Sequence, residues 1–312
     1  MKNVILILLI ILSLSNAEAK SIELKGKAVL VTGASSGIGR SIAETLASNG
    51  AFVYAGARKQ KDIDELSQIK NIMGIRLDVT KPNEIVAAVE LVKKEGRGLY
   101  GLVNNAGVFF HAPLIEVAES EMQFMMDVNV FGPYRVTKAF SPLIIESKGR
   151  ISNISSIAGI AAGPMFGPYA MSKFALEAFS ESLSHEMRKF DVQVSVVEPG
   201  NFKSNIMKNM HKRLALMEAD DIPTNYKDEY KALGGFTSID RSHHRDPVAV
   251  ANAVVQALSS DQPRLRYMVA PTQAEANMTI RAAMAKVVQL NSGHEFSVDR
   301  KSLISTLDAV SQ

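Results

Sequence analysis

The chain predicts an α/β fold: one doubly wound domain whose sheet, of about seven parallel strands, is flanked by helices. Two observations carry this. From Lys27 onward, short runs rich in β-branched residues alternate with longer stretches of helical pattern, the signature of βαβ units and a parallel sheet. No Pro/Gly/Ser-rich linker divides the middle of the 312 residues, and 46% hydrophobic content supplies one sizeable core.

Taken in order, Ala28 to Thr32 reads as the first strand, followed by a glycine-rich turn and a helix from about Ile38 to Ser48 that ends at Asn49-Gly50. Phe52 to Ala55 is the second strand and Ile72 to Val79 holds the third. Pro82 then opens a helix over Glu84 to Lys94, with proline near the first turn as expected. Gly101 to Asn104 is the fourth strand, a long helical pattern covers Glu121 to Ile145, and Arg150 to Ser155 is the fifth strand. Tyr169 to Lys189 is helical, Gln193 to Val197 is the sixth strand closed by Pro199-Gly200, Pro247 to Leu258 is a helix, and Tyr267 to Val269 is a short seventh strand. There is no internal repeat.

The two ends lie outside this pattern. Lys2 precedes an apolar run from Val4 to Leu12, then a polar stretch, then Ala17-Glu18-Ala19 with small residues flanking a cleavage point. Residues 1–19 are therefore expected to be a secretory signal. A run of nine apolar residues is too short for a bilayer span, which takes about 20; an uncleaved membrane tether, helped by Leu14, is the alternative. The expected location is the secretory pathway or a membrane surface, with the cytoplasm as the competing reading. The domain is expected over residues 25–270, with a variable segment over 201–246 and an extension over 271–312. Within the extension, Ala274 to Leu290 has helical composition and the last twenty residues carry no clear pattern; a cover over the substrate mouth and a partner-binding segment are both open readings.

Composition excludes several classes. A net charge of +3, without a long basic block interleaved with aromatics, speaks against nucleic acid as a partner. Zero cysteines exclude disulfides, thiol nucleophiles and thiolate metal sites. His243 and His244 beside Arg245 read as a solvated loop, and no metal is expected.

Two local patterns point to chemistry. Thr32-Gly33-Ala34-Ser35-Ser36-Gly37-Ile38-Gly39, a TGxxxGxG spacing, lies between the first strand and first helix, where glycines let a backbone approach a dinucleotide pyrophosphate at a helix N-terminus. A tight strand-to-helix connection is the alternative. At the end of the second strand an acidic residue would bind the adenosine ribose hydroxyls and repel a 2′-phosphate. Here Tyr54-Ala55-Gly56-Ala57-Arg58-Lys59 offers two cations and no carboxylate, which favours NADP(H) over NAD(H), against the alternative of an exposed basic loop. Asp78, near the end of the third strand, is read either as an acceptor for the adenine amino group or as a helix cap.

The second pattern is Tyr169-Ala170-Met171-Ser172-Lys173, a YxxxK element with Ser156 thirteen residues before the tyrosine. On a helix, residues i and i+4 share a face, which sets Lys173 beside the Tyr169 phenol. An ammonium about 5 Å away at an effective dielectric of about 20 favours phenolate by roughly 3 kcal/mol, or about two pKa units, within reach of general acid/base work. Alone, the pair fits a lysine stem packed on a ring better than it fits chemistry. Its context decides.

Together these motifs resemble the short-chain dehydrogenase/reductase family in its single-domain, Rossmann-type form, over about Lys25 to Ala270. The likeness rests on the TGASSGIG turn, Asp78, Asn104-Asn105-Ala106-Gly107, Asn129, Ser156, Tyr169 with Lys173, and Pro199-Gly200, seven motifs in order at matching strand ends. The resemblance implies that Tyr169 is the acid/base, that Lys173 lowers its pKa and binds the nicotinamide ribose, that Ser156 holds the substrate oxygen, and that Asn129 holds a relay water. It further implies cofactor contacts from Gly33, Ser35, Ser36, Gly37, Ile38, Gly39, Arg58, Asp78, Asn105, Ala106 and Gly107, a nicotinamide floor at Pro199 and Gly200, and a carboxamide contact at Ser204. Ser155 is expected to be structural. A homodimer or homotetramer is implied as well.

The pattern is closest to hydroxysteroid and retinol dehydrogenases, with Asp127-Val128-Asn129-Val130-Phe131-Gly132 and Pro263-Arg264-Leu265-Arg266-Tyr267 contributing. Gly159 to Gly167 is nearly devoid of polar side chains, and in this family such a segment borders the substrate, which implies an apolar alcohol or carbonyl. Met207, Met210, Leu214 and Met217 fall on one helical face, readable as a substrate lid or as core packing, while Lys208, Lys212 and Arg213 offer a membrane-facing alternative. The expected activity is an NADP(H)-dependent oxidoreductase on a lipophilic alcohol/carbonyl pair. The alternatives are a ketoreductase for carrier-bound acyl chains and a non-catalytic NADP-sensing protein.

Overall fold

A computed structural model of the chain describes residues 22–204, 224–237 and 244–311. The strands are β1 Ala28–Val31, β2 Phe52–Ala57, β3 Ile72–Arg76, β4 Gly101–Asn104, β5 Arg150–Ile154, β6 Gln193–Pro199 and β7 Arg266–Val269. All pair in parallel in the order β3-β2-β1-β4-β5-β6-β7. The helices are α1 Gly37–Ser48, α2 Gln60–Ser67, α3 Pro82–Glu95, α4 Glu119–Met126, α5 Gly132–Glu146, α6 Gly167–Met187, α7 Lys227–Thr237, α8 Val248–Ser259, α9 Gln273–Leu290 and α10 Arg300–Val310.

Both faces of the sheet are covered by helices, as an all-parallel sheet requires. Alternation along β1 divides the core: Val29 and Val31 join the cluster under α1 and α8, while Ala28 and Leu30 join the one under α3 and α5. All four are at most 1% exposed, so either face would lose packing if the register slipped.

Three differences from the sequence reading have physical causes. The long pattern over Glu121 to Ile145 is two α-helices joined by a π-helical turn at Asp127–Phe131, which carries Asn129; such turns shift side-chain phase locally. α2 went unread because it buries only Ile63 and Leu66 on an otherwise polar helix. α10 buries no side chain at all, although Asp299 caps it by accepting from the Ser302 amide at 2.8 Å.

The leader assigned to residues 1–19 and the methionine-bearing face over Met207 to Met217 lie outside the described residues. Among the described residues no helix is long and apolar enough to cross a membrane.

Candidate active site

The strand order reverses direction at β1 and β4, and a crevice opens at the carboxyl ends of these strands. A cavity of about 730 Å³ fills it. It is lined by Gly33, Ser35, Ser36, Gly37, Ile38 and Gly39 after β1, Arg58 after β2, and Asp78 after β3. Asn105, Ala106 and Gly107 follow from β4, Ser156 from β5, Tyr169 and Lys173 from α6, and Pro199, Gly200 and Ser204 from β6. Asn129 alone among the sequence-assigned residues stands behind the wall.

The β1–α1 turn is built around two close approaches. Gly33 adopts φ +66°, and a Cβ on it would stand 2.8 Å from Ala106 Cα. At Gly39 a Cβ would collide with Asn105 Nδ2 and the Gly33 carbonyl. The Asn105 amide donates to the carbonyls of Thr32 at 3.0 Å and Gly33 at 3.2 Å, while Thr32 Oγ1 accepts from the backbone amides of Asn105 and Ala106, each at 3.0 Å. α1 has neither an acidic residue in its first turn nor a side-chain cap. Its leading N–H groups and positive dipole end thus face the cavity, an arrangement that fits a pyrophosphate.

At the other end of the crevice Arg58 is exposed, and the Arg76 guanidinium hydrogen-bonds its backbone carbonyl. Arg76 therefore stands beside Arg58, outside the residues that line the cavity. Sequence reading missed it because it sits at the end of β3 rather than after β2. Asp78 Oδ1 accepts from Thr80 N at 2.9 Å and Thr80 Oγ1 at 2.8 Å. The cap position of α3 belongs to Lys81, which excludes Asp78 as that helix's cap.

Tyr169 is the third residue of α6, and its ring meets Phe109 edge-on at 4.7 Å between centroids. Ser156 lines the same cavity near enough to the phenol to affect its acidity. The serine itself is fixed by accepting from Ala158 N at 3.1 Å and donating to the Pro199 carbonyl at 3.4 Å. Lys173 Nζ lies 5.5 Å from the Tyr169 ring centroid and donates to the Ile154 carbonyl at 2.9 Å.

The electrostatics correct one expectation. Burial pushes the Tyr169 phenol up to about 12, with the Ser156 hydrogen bond opposing, rather than down toward neutrality. Burial likewise lowers Lys173 to about 8, with the charge of Glu177 opposing. The simple ammonium argument fails because both groups are dry: desolvation outweighs what a lysine bonded to a carbonyl contributes to the phenolate.

Asn129 is anchored by its side chain. Its Oδ1 accepts from Val108 N at 2.8 Å, and its Nδ2 donates to Val108 O at 2.9 Å and Ser172 Oγ at 3.0 Å. Both ends of the amide hold the loop after β4, and its nitrogen also ties that loop to Ser172 on α6. The side chain is a brace for Gly107-Val108, not a contact of the cavity. Asn104 braces the sheet a layer deeper, donating to Thr137 Oγ1 at 2.9 Å and Asn153 Oδ1 at 2.8 Å.

Several neighbours complete the site, of which only Phe166 falls in the apolar segment read from the sequence. Phe109, His111 and Phe166 form an aromatic wall beside Tyr169, with His111 edge-on to Phe109 at 4.6 Å and to Phe166 at 4.4 Å. Glu275 and Met278 enter the lining from α9. On the α6 face below Lys173 lies the buried Glu177, which Arg266 Nε approaches at 3.3 Å; the same nitrogen is 3.6 Å from Glu198. Burial, reinforced by the charge of Glu177, pushes Glu198 up to about 8. Ser155, which also lines the cavity, lies close to Glu177 beside Gly159.

Comparison with known proteins agrees with this geometry. The family model described as "short chain dehydrogenase" matches residues 27–215. The chain is 35% identical over 272 residues to the mitochondrial D-beta-hydroxybutyrate dehydrogenase of Mus musculus, covering 81% of this chain and 78% of the relative. It is 34% identical over 257 residues to retinol dehydrogenase 16 of Rattus norvegicus, covering 78% and 81%. Among solved structures, a short chain dehydrogenase/reductase from Burkholderia phymatum in complex with NAD superposes with a TM-score of 0.72 at 23% identity, over 89% of this chain and 100% of that one. The chain belongs to the short chain dehydrogenase family, whose members act on CH–OH groups with NAD(P).

Proposed function

We propose that this protein is an NADP(H)-dependent oxidoreductase that interconverts a lipophilic alcohol and its ketone or aldehyde, with Tyr169 as the acid/base. The observation that carries the reading is the meeting of Ser156, Tyr169 and Lys173 with the glycine turn in one cavity. A turn shaped for pyrophosphate and a buried phenol at the opposite end are what a hydride transfer with one accompanying proton needs.

Bound in this crevice, a nicotinamide cofactor supplies or accepts the hydride. The turn over Gly37 to Gly39 would hold its phosphates, Pro199, Gly200 and Ser204 would flank its ring, and Arg58 would face the adenosine end. In reduction, Tyr169 keeps its proton until the carbonyl oxygen needs it, because the phenol is held up to about 12. Ser156 hydrogen-bonds the same oxygen as charge develops there. Lys173 holds a positive charge beneath the phenol and stabilises it once the proton has left. In the reverse direction Tyr169 takes the alcohol proton.

Two features support the finer choices. Arg58 and Arg76 meet at the adenosine rim with no carboxylate in the Tyr54 to Lys59 stretch, which favours a 2′-phosphate. Around the phenol, Phe109, Phe166, Ala161, Ala162 and Met278 give an apolar lining, which favours a steroid, retinoid or similar molecule over a sugar. A purely sensing protein has no use for all three of Ser156, Tyr169 and Lys173.

A cofactor-oxidation screen over steroids, retinoids and aliphatic ketones, with NADPH and NADH in parallel, tests the reading. Turnover of lipophilic ketones with NADPH is expected, and Tyr169→Phe is expected to lose it by a factor of about 10² to 10⁴ while still binding nucleotide. Undiminished turnover in that variant would remove Tyr169 from the mechanism. We propose further that residues 1–19 direct the chain to the secretory pathway or a membrane; N-terminal sequencing of the mature protein separates a cleaved signal from a tether.

A further inference from the structure

Helix α9 lies beyond residues 27–215, the span of the family model, yet two of its side chains enter the cavity. Thr272 caps it, its Oγ1 accepting from the Glu275 amide at 3.2 Å. Glu275 then reaches away from its own helix: its Oε2 accepts from the backbone amide of Asn201 at 2.8 Å. The same oxygen presses on Gly200, where a Cβ would collide with it and stand 2.8 Å from Pro271 Cδ. A side chain at Gly200 would therefore displace Glu275 or Pro271. Toward the other end of α9, the Lys286 ammonium hydrogen-bonds the Ile160 carbonyl and sits 4.2 Å from the centroid of the Phe174 ring. One helix is thus tied to the turn after β6 and to the loop after β5, the two walls of the site.

We propose that α9 closes the substrate end of the cavity and that Glu275 is a positioning residue, holding the Pro199 to Ser204 turn in place through the Asn201 amide. The inference rests on the oxidoreductase reading above and deepens it. Backbone donors in this turn show why Glu275 matters. Pro199 has no N–H, Gly200 N bonds the Val269 carbonyl at 2.8 Å, and Phe202 N bonds the Gly200 carbonyl at 3.0 Å. The Asn201 amide between them is held by a side chain instead, and that side chain comes from the extension. A carboxylate acceptor makes this a charge-assisted bond, stronger than a neutral one. Met278, one turn further along α9, then lies where a substrate would pass.

Hydrogen–deuterium exchange over a peptide spanning residues 199–204 reads the hold directly, with neither cofactor nor substrate present. Glu275→Ala is expected to speed exchange there and to weaken NADPH binding, followed by fluorescence titration, about tenfold. Glu275→Gln keeps an acceptor oxygen and is expected to stay within about threefold of the parent. Met278→Trp narrows the mouth and is expected to raise the KM for a lipophilic ketone about tenfold without changing NADPH affinity. Unchanged exchange in Glu275→Ala would overturn the positioning role, and an unchanged ketone KM in Met278→Trp would overturn the closure. A parent protein that binds neither nicotinamide would instead sink the oxidoreductase reading, while the exchange measurement would still decide the role of Glu275.

Discussion

Lys173 Nζ donates to the Ile154 carbonyl at 2.9 Å and stands 5.5 Å from the centroid of the Tyr169 ring. The two groups share a helix face yet do not simply exchange charge. Both are buried, and burial penalises phenolate and ammonium alike. The phenol is pushed up to about 12 and the ammonium lowered to about 8, so at neutral pH both carry their protons.

This sets the expected pH profile of carbonyl reduction. The phenol remains a proton donor across the accessible range, so its own titration does not limit the rate. Lys173, depressed by burial, is charged below pH about 8 and neutral above it. Reduction should therefore be level from neutrality toward pH 8 and fall as pH rises through that value, because the emerging phenolate loses its supporting cation. A profile of kcat/KM measured on one ketone checks this. A profile that stays level well above the lysine's titration would show that its charge is not needed.

The carboxyl pair below Lys173 yields a stability prediction. Burial, with the charge of Glu177 added, raises Glu198 from 4.5 to about 8, even though Arg266 Nε is 3.6 Å away. A carboxyl raised on folding binds its proton more tightly in the native state than in the unfolded one. Its contribution is fully present below pH about 4.5 and is lost as pH rises through about 8. Glu198→Gln copies the protonated form. It should flatten the stability profile between those limits and gain on the order of 1–3 kcal/mol over the parent at pH about 9, after allowance for the shared Arg266. Thermal melts across this range follow it directly, and parallel curves for the two proteins would refute it.

Much of the fold was legible because a parallel sheet buried on both faces leaves a strong local trace. The strands from Ala28 to Val269 are short runs rich in β-branched and other apolar residues between longer helical stretches, and the sheet contains all seven in parallel. Elements that bury little were not legible: α2 keeps only Ile63 and Leu66 inside, and α10 keeps nothing. The site divides in the same way. The glycine turn and the YxxxK element are contiguous strings, whose spacing shows in one dimension. Glu275 and Met278 reach the site by folding from a distant segment, and no spacing announces them. Side-chain protonation was misjudged for a related reason, since a charge pair can be read from sequence but its dryness cannot.

The adenosine rim predicts cofactor choice. Arg58 lines the cavity and its carbonyl is held by the Arg76 guanidinium, so a 2′-phosphate would meet one cation directly, with a second behind it. Arg58→Asp removes one and places a carboxylate where ribose hydroxyls would bind. The ratio of NADPH to NADH efficiency is expected to fall by a factor of about 10². Parallel kcat/KM measurements with both nucleotides check it. An unchanged ratio would mean that the rim does not read the phosphate.

Gly39 gives the sharpest steric test of the cofactor turn. A Cβ there would collide with Asn105 Nδ2 and with the Gly33 carbonyl. The first contact is the end of a side chain, and it can move, although moving it forfeits the bonds to Thr32 and Gly33 that close the turn. The second is backbone at φ +66°, which has nowhere to retreat because Gly33 itself abuts Ala106. Gly39→Ala should therefore destabilise the fold by about 1–3 kcal/mol and weaken nucleotide binding far more than that loss alone would. Asn105→Ala in the same chain relieves only the first contact. The double variant is expected to recover some of the melting temperature while nucleotide affinity stays low, since the Gly33 carbonyl is still displaced from the cradle. Recovery of full affinity in the double variant would show that the Asn105 side chain, and not the backbone approach, sets the shape of the turn.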